Sequence, residues 1–313
     1  MGKSAFTFPG QGSQAVGMGR ELAEAFPEAR AVFDEVDAAL GQSLSQIMFE
    51  GPDETLRLTE NAQPALMAVS VAVVRVLEAR GVSLRDAADF VAGHSLGEYS
   101  ALCAAGTFSL ADAARLLRIR GEAMQRAVPV GEGAMAAILG LDLEAVRAIA
   151  AEAGGVCDVA NDNAPGQVVI SGTAAAVEAA MAAAKAGGAK RALPLPVSAP
   201  FHCSLMQPAA DAMAAALAEV EMAAPVVPLV ANVRARPVTD PAEIRTLLVE
   251  QVTGMVRWTE SVSWLAGEGG VDALYELGTG KVLTGLAKRI APGATATALN
   301  TPADIEAYLS ARS

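Results

Sequence analysis

Residues 93–97 of this 313-residue chain read Gly93-His94-Ser95-Leu96-Gly97. An apolar run, DFVAG at 89–93, leads into them, and a helical pattern leads out. A strand that turns into a helix within so few residues needs small residues on both flanks of the bend. The bend then pushes its middle side chain, Ser95, out over the edge of a sheet, where it reads as a nucleophile. The amide of Leu96, at the helix start, is placed to point at an oxyanion forming beside it. The competing reading makes Ser95 a helix N-cap, a geometry it also resembles.

The rest of the chain supplies the sheet that such a bend needs. Strands are expected at 4–8, 89–93, 226–231, 271–276 and 294–298. Helices are expected at 18–40 (in two pieces, broken near Pro27), 61–80, from Ser95, 109–127, 203–220, 241–251, 258–267 and 280–290. Strands alternating with helices imply a mainly parallel sheet covered on both faces. Between Pro129 and Pro200 the rhythm changes. Strands at 134–139, 156–161, 167–171 and 189–195 enclose helices at 142–153 and 174–186, a βαββαβ order. The fold class is therefore α/β. An α/β-hydrolase-like large domain, 1–129 and 198–313, carries an inserted ferredoxin-like small domain, 130–197. Aromatic residues make up only 4% and alanine fills much of the 52% apolar share, which suits packed helices better than a β-sandwich.

A serine nucleophile needs a base, and the chain has two histidines. His94 neighbours Ser95 on the same turn, where adjacent side chains diverge, so it reads as a packed histidine bonded within the turn. His202 follows a proline-rich stretch at the edge of a helix, a place suited to a catalytic group. If Ser95 acts, elimination points to His202; the alternative makes it a helix-terminal cap. No spacing selects an Asp or Glu as a third member, and a backbone carbonyl would orient the imidazole equally well. The loop Gly10-Gln11-Gly12-Ser13-Gln14-Ala15 formally fits GxGxxA, but Asp34 and Glu35 fall in a helix rather than at a strand end, against a dinucleotide site. It reads either as a plain tight turn or as a second oxyanion donor through the Gln11 amide. Arg118 and Arg120 point to different sides of one helix, and periodicity alone favours an exposed salt bridge for either.

The net charge of −12 argues against nucleic-acid binding. Cys103, Cys157 and Cys203 show no CxxC spacing, so neither a disulfide framework nor a zinc site is expected. No apolar stretch reaches the ~18 residues of a spanning helix and no leader pattern opens the chain, so no membrane association and a cytoplasmic setting are expected.

Seven segments in order resemble the malonyl-CoA:acyl carrier protein transacylase family over essentially the whole chain. They are FPGQGSQ at 8–14, QPAL at 63–66, GHSLGEY at 93–99, RG at 120–121, NDNAPGQVVISG at 161–172, PVSAPFHCSLM at 196–206 and GTGKVLTGL at 278–286. The resemblance implies Ser95 as nucleophile, His202 as its base and the Gln11 and Leu96 amides as the oxyanion hole. It implies that Arg120 clamps the malonyl carboxylate, overriding the salt-bridge reading. It implies that the main-chain carbonyl of Gln251 orients the histidine and that Asn161 and Asn163 line an interdomain cleft. Phe201 before the histidine and Leu96 after the serine fit malonyl over methylmalonyl. Malonyl-CoA and acyl carrier protein are the implied partners of a monomer, with no metal or redox cofactor. Lys190, Arg191, Lys281, Lys288 and Arg289 are candidates for docking the acidic carrier. A serine hydrolase with the same bend and a non-catalytic carrier-binding subunit are the rival readings.

Overall fold

The computed structural model describes residues 2–312. Its first sheet runs β10-β9-β1-β2-β7-β8. The strands are β1 (Lys3–Phe8), β2 (Phe90–Gly93), β7 (Leu229–Val230), β8 (Pro237–Val238), β9 (Val271–Leu277) and β10 (Thr295–Leu299). All neighbours pair in parallel except β7 and β8. Alternation along the strands sends residues to opposite faces. Phe6, Phe8 and Val91 join one core, packed under the helix Thr59–Ala79 and its neighbours. Ala5 and Ala92 join another, with Val230, Trp258 and Leu274. The mainly parallel sheet buried on both faces is the arrangement expected from the sequence.

The second sheet runs β4-β5-β3-β6 and is antiparallel throughout, from β3 (Gly133–Leu139), β4 (Cys157–Ala164), β5 (Gln167–Thr173) and β6 (Arg191–Pro194). Helices Leu143–Ala151 and Ala174–Ala186 cover it through a core that includes Ile138, Val146, Ile170 and Ala180. Register shifts interrupt β4 between Val159 and Asn161 and between Asp162 and Ala164. Such irregularities re-aim side chains. The same stretch is tied to the other unit, since the Asp162 amide donates to Val256 O (3.0 Å) and the Val256 amide to Ala160 O (2.8 Å).

Several boundaries differ from the sequence reading, each for a local reason. The helix after the bend begins at Gly97 with Leu96 as N-cap, not at Ser95. Ser95, at φ 54, precedes that cap, and its hydroxyl meets His202 and Arg120 rather than a helix amide. The break expected near Pro27 is present, between helices Arg20–Ala25 and Pro27–Leu40, with Pro27 as the first residue of the second, a position where its missing N–H costs nothing. The strand expected at 226–231 shrinks to Leu229–Val230, because Pro228 has no amide to donate. Helices Leu44–Glu50, Asp53–Arg57, Leu84–Ala87 and Pro302–Ser310 and strand β8 were not anticipated. Helix Thr59–Ala79 has the length and apolarity of a membrane span, but 83% of its apolar window is buried inside the protein, so here it is a core helix.

The turn at Gly93–Gly97 is pressed against β1. A Cβ on Gly93 would lie 1.9 Å from Gly97 C and O, and one on Gly97 would lie 2.2 Å from Phe8 O. Both obstacles are backbone and cannot rotate away. Gly97→Ala is therefore expected to destabilise the protein by about 3 kcal/mol or more, the upper range of overpacking, read as a lower denaturant midpoint. An unchanged midpoint would contradict this packing.

Candidate active site

The bend sets Ser95 at the floor of a cavity of about 590 Å³ between the two sheets. Its Oγ lies 2.7 Å from His202 Nε2. His202 is 3% exposed and also has positive φ, at 57. Its Nδ1 faces Gln251 O at 2.8 Å and Gly254 O at 3.2 Å. A carbonyl can only accept, so Nδ1 carries the hydrogen and Nε2 presents its lone pair to the serine. Burial, then the charge of Arg120, pull the His202 pKa down to about 3, against the two carbonyls. The imidazole is thus neutral near pH 7. A hydroxyl bonded to such a ring is the arrangement of an activated nucleophile.

Arg120 is 1% exposed. Its Nη2 donates to Ser95 Oγ at 3.2 Å and to Gln251 Oε1 at 2.8 Å, and its Nη1 donates to Gln63 Oε1 at 2.8 Å. Its Nε has no partner among the described residues. Its ring neighbour is Tyr99, 5.8 Å from the guanidinium carbon. The salt bridge that periodicity favoured is absent among the described residues. Arg118 is the partly exposed one, and its Nη2 donates to Gln42 Oε1 at 2.6 Å.

The backbone amides of Gln11 and Leu96 make no hydrogen bond among the described residues. The Gln11 loop packs on the bend: a Cβ on Gly10 would lie 2.7 Å from His94 O. Gln11, Asn161, Asn163 and Phe201 all line the cavity with Ser95 and His202. Phe201 is 8% exposed and shares the wall with Met135, Val169 and Leu195. His94 is packed and bonded both to its own backbone and across to Asn163, its Nε2 2.8 Å from Asn163 Oδ1. Its ring also tilts against Trp258 at 5.5 Å. Leu96 is buried beneath the turn, 1% exposed, so its side chain packs in the core.

Four residues that the sequence reading left without a role hold this geometry. Asn232 is fully buried; its Oδ1 accepts from the Ser95 amide at 2.8 Å, and its Nδ2 donates to Gly93 O at 2.6 Å. Gln63 holds the rear of Arg120. Glu98 accepts from the Asn232 amide at 2.9 Å and from Gln251 Nε2. Gly254 gives the second carbonyl to His202. Gln63 and Glu98 stood inside motifs already noted, whereas nothing in the sequence singled out Asn232 or Gly254.

A half-buried serine on a strand–turn–helix bend, bonded to a buried neutral histidine and with two free amides beside it, defines an acyl-transfer class of protein. Residues 5–277 match the model of the acyl transferase domain family, and the chain belongs to that family. It is 51% identical over 311 residues to the malonyl CoA-acyl carrier protein transacylase of Escherichia coli strain K12, covering 99% of each chain. The acyl-carrier-protein-S-malonyltransferase of Bartonella henselae superposes with a TM-score of 0.97 at 59% identity, covering 99% of both. A malonyl-transacylase in complex with a type II PKS acyl-carrier protein superposes at 0.95, with 47% identity and 99% of both chains.

The buried imidazole has a pH signature. Between its ordinary value of 6.5 and about 3, the unfolded chain binds a proton at this histidine and the folded chain does not. Stability from this source is therefore complete above 6.5 and is lost as pH falls toward 3. Glu98, raised by burial to about 7 from 4.5, works in the opposite direction between those two values. His202→Gln is expected to flatten the fall in unfolding free energy on acidification, measured against wild type. A parallel pair of profiles would contradict the buried neutral ring.

Proposed function

We propose that this chain is a malonyl-CoA:acyl carrier protein transacylase of fatty acid synthesis, working by double displacement through a malonyl ester on Ser95. The observation that carries the mechanism is one hydroxyl oxygen, Ser95 Oγ, within hydrogen-bond reach of both His202 Nε2 and Arg120 Nη2. Malonyl-CoA enters with its free carboxylate toward Arg120. Ser95 Oγ attacks the thioester carbonyl carbon while His202 Nε2 takes its proton. The resulting oxyanion rests on the Gln11 and Leu96 amides, a donor of this kind being worth ~3–4 kcal/mol. The C–S bond breaks, and CoA leaves as the thiol with the proton from His202. The phosphopantetheine thiol of acyl carrier protein then gives its proton to His202 and attacks the ester carbonyl. Ser95 leaves and recovers that proton. Bonds and protons balance over the cycle, and no metal or redox cofactor enters it.

Gln251 serves through its main-chain carbonyl, which fixes the imidazole. Asn161, Asn163 and Phe201 serve as walls for the acyl-pantetheine arm. Phe201 fills space beside Ser95, which suits malonyl over a branched analogue, though one methyl is worth only ~1–3 kcal/mol. The relatives' names and the carrier complex of one structural neighbour support the carrier as second substrate. Lys190, Arg191, Lys281, Lys288 and Arg289 are exposed and remain the proposed docking charges. We read 1–129 and 198–313 as an α/β-hydrolase-like domain and 130–197 as an inserted ferredoxin-like one. The β6-β3-β5-β4 order of the second sheet supports the latter. We propose that the chain acts as a monomer. Three buried, unpaired cysteines suit a reducing cytoplasm.

Incubation with malonyl-CoA is expected to add one malonyl group to the intact protein, and Ser95→Ala is expected to abolish the adduct. A wild type that stays unmodified, or that releases only free malonate with carrier present, would overturn transfer in favour of a non-acylated subunit or a hydrolase. Arg120→Ala is expected to lower malonyl transfer by a hundredfold or more, about the loss of one charge-assisted pair, while sparing acetyl transfer. Equal losses on both substrates would remove the clamp.

A further inference from the structure

Two opposite charges are buried in this site without touching. Arg120 is 1% exposed and Glu98 is 2% exposed. Among the described residues neither takes part in an ion pair. Buried charges are ordinarily paired directly. Here a neutral carboxamide stands between them. Gln251 Oε1 accepts from Arg120 Nη2 at 2.8 Å, while its Nε2 donates to Glu98 Oε2 and, at 2.9 Å, to Ser95 O.

The separation has a chemical consequence. A carboxylate laid directly on the guanidinium would occupy the fork that a substrate carboxylate needs. Placed one amide away, it balances the charge while only neutral amide and hydroxyl oxygens sit on the guanidinium, and these an incoming carboxylate can displace. The buried Arg120 Nε has no partner among the described residues, and Arg120 borders the cavity. The carboxylate also settles which way the amide faces. An ionised carboxylate only accepts, so it requires the NH2 of Gln251 on its own side and thereby turns the carbonyl oxygen toward Arg120. The Asn232 amide anchors the other Glu98 oxygen, which fixes the carboxylate in turn.

We infer that Glu98 is a positioning residue for malonyl selection, whose carboxylate, acting through the Gln251 carboxamide, holds Arg120 beside Ser95 without itself taking the guanidinium that a substrate carboxylate needs. This rests on the malonyl-transfer reading. Burial raises the Glu98 carboxyl to about 7 against the bonds from Asn232 and Gln251 and the field of Arg120, so assays belong above that pH, where it is ionised.

Glu98→Gln keeps the shape and replaces an acceptor by an NH2. Two donors then meet, Gln251 turns over, and Arg120 loses its acceptor. The expected result is a rise in KM for malonyl-CoA that lowers the malonyl-to-acetyl ratio of kcat/KM by about tenfold, the scale of one hydrogen bond to a charged group. The effect is expected to be non-additive with Gln251→Leu, because both changes cut one relay. Equal losses on malonyl-CoA and acetyl-CoA, or additive effects in the double variant, would overturn the role. If Glu98→Gln does not fold, Glu98→Asp withdraws the carboxylate by one methylene. A ratio between wild type and tenfold lower is expected, and a wild-type ratio overturns the role. The wild-type malonyl adduct is measured alongside. Its absence counts against the transferase reading itself, whereas a normal adduct with an unchanged substrate ratio counts against Glu98 alone.

Discussion

Between β1 and the turn at Gly93–Gly97 there is no room for a side chain, and most of the site follows from that contact. With Gly97 seated on Phe8 O and Gly93 on Gly97, the chain has one way to leave the sheet, and it places Ser95 at φ 54. His202, arriving from the proline-rich stretch after β6, stands at φ 57. Among the described residues only Ala235 joins them as a non-glycine residue with positive φ. Such conformations cost about 1–3 kcal/mol each and persist where the surroundings over-determine them. Here the surroundings can be named: Asn232 holds the amide of Ser95, Gln251 holds its carbonyl, and two carbonyls hold the histidine.

The electrostatics of the site follow from the burial of its charged and titratable groups. Both histidines are pushed toward neutrality by burial, and the positive charge beside Ser95, on Arg120, is held by amide oxygens rather than by carboxylates. A site of this kind favours an incoming acyl group that brings its own negative charge. In the proposed cycle the same imidazole serves both half-reactions, because its tautomer is fixed by backbone and does not change with the substrate bound.

The sequence disclosed the serine and its bend, because the strand, the two glycines and the helix lie next to one another in the chain. It disclosed His202 by elimination, since only two histidines exist. The βαββαβ order of the second sheet was legible from alternating short runs. Arg120 was misjudged on periodicity, because burial against Gln63 and Gln251 comes from helices 57 and 131 residues away in the chain. Asn232 was invisible for the same reason, at 137 residues from the amide it holds. The helix Pro302–Ser310 was missed although Thr301 and Asp304 form a capping box at its start, a signal the chain does carry.

The account comes down to where the acyl group sits once it is attached. A crystal structure of the protein frozen after reaction with malonyl-CoA tests this most directly. The account predicts an ester on Ser95 Oγ, its carbonyl oxygen within hydrogen-bond distance of the Gln11 and Leu96 amides, and its free carboxylate on the guanidinium of Arg120. An ester on another residue, or a carboxylate pointing away from Arg120 into solvent, would contradict it.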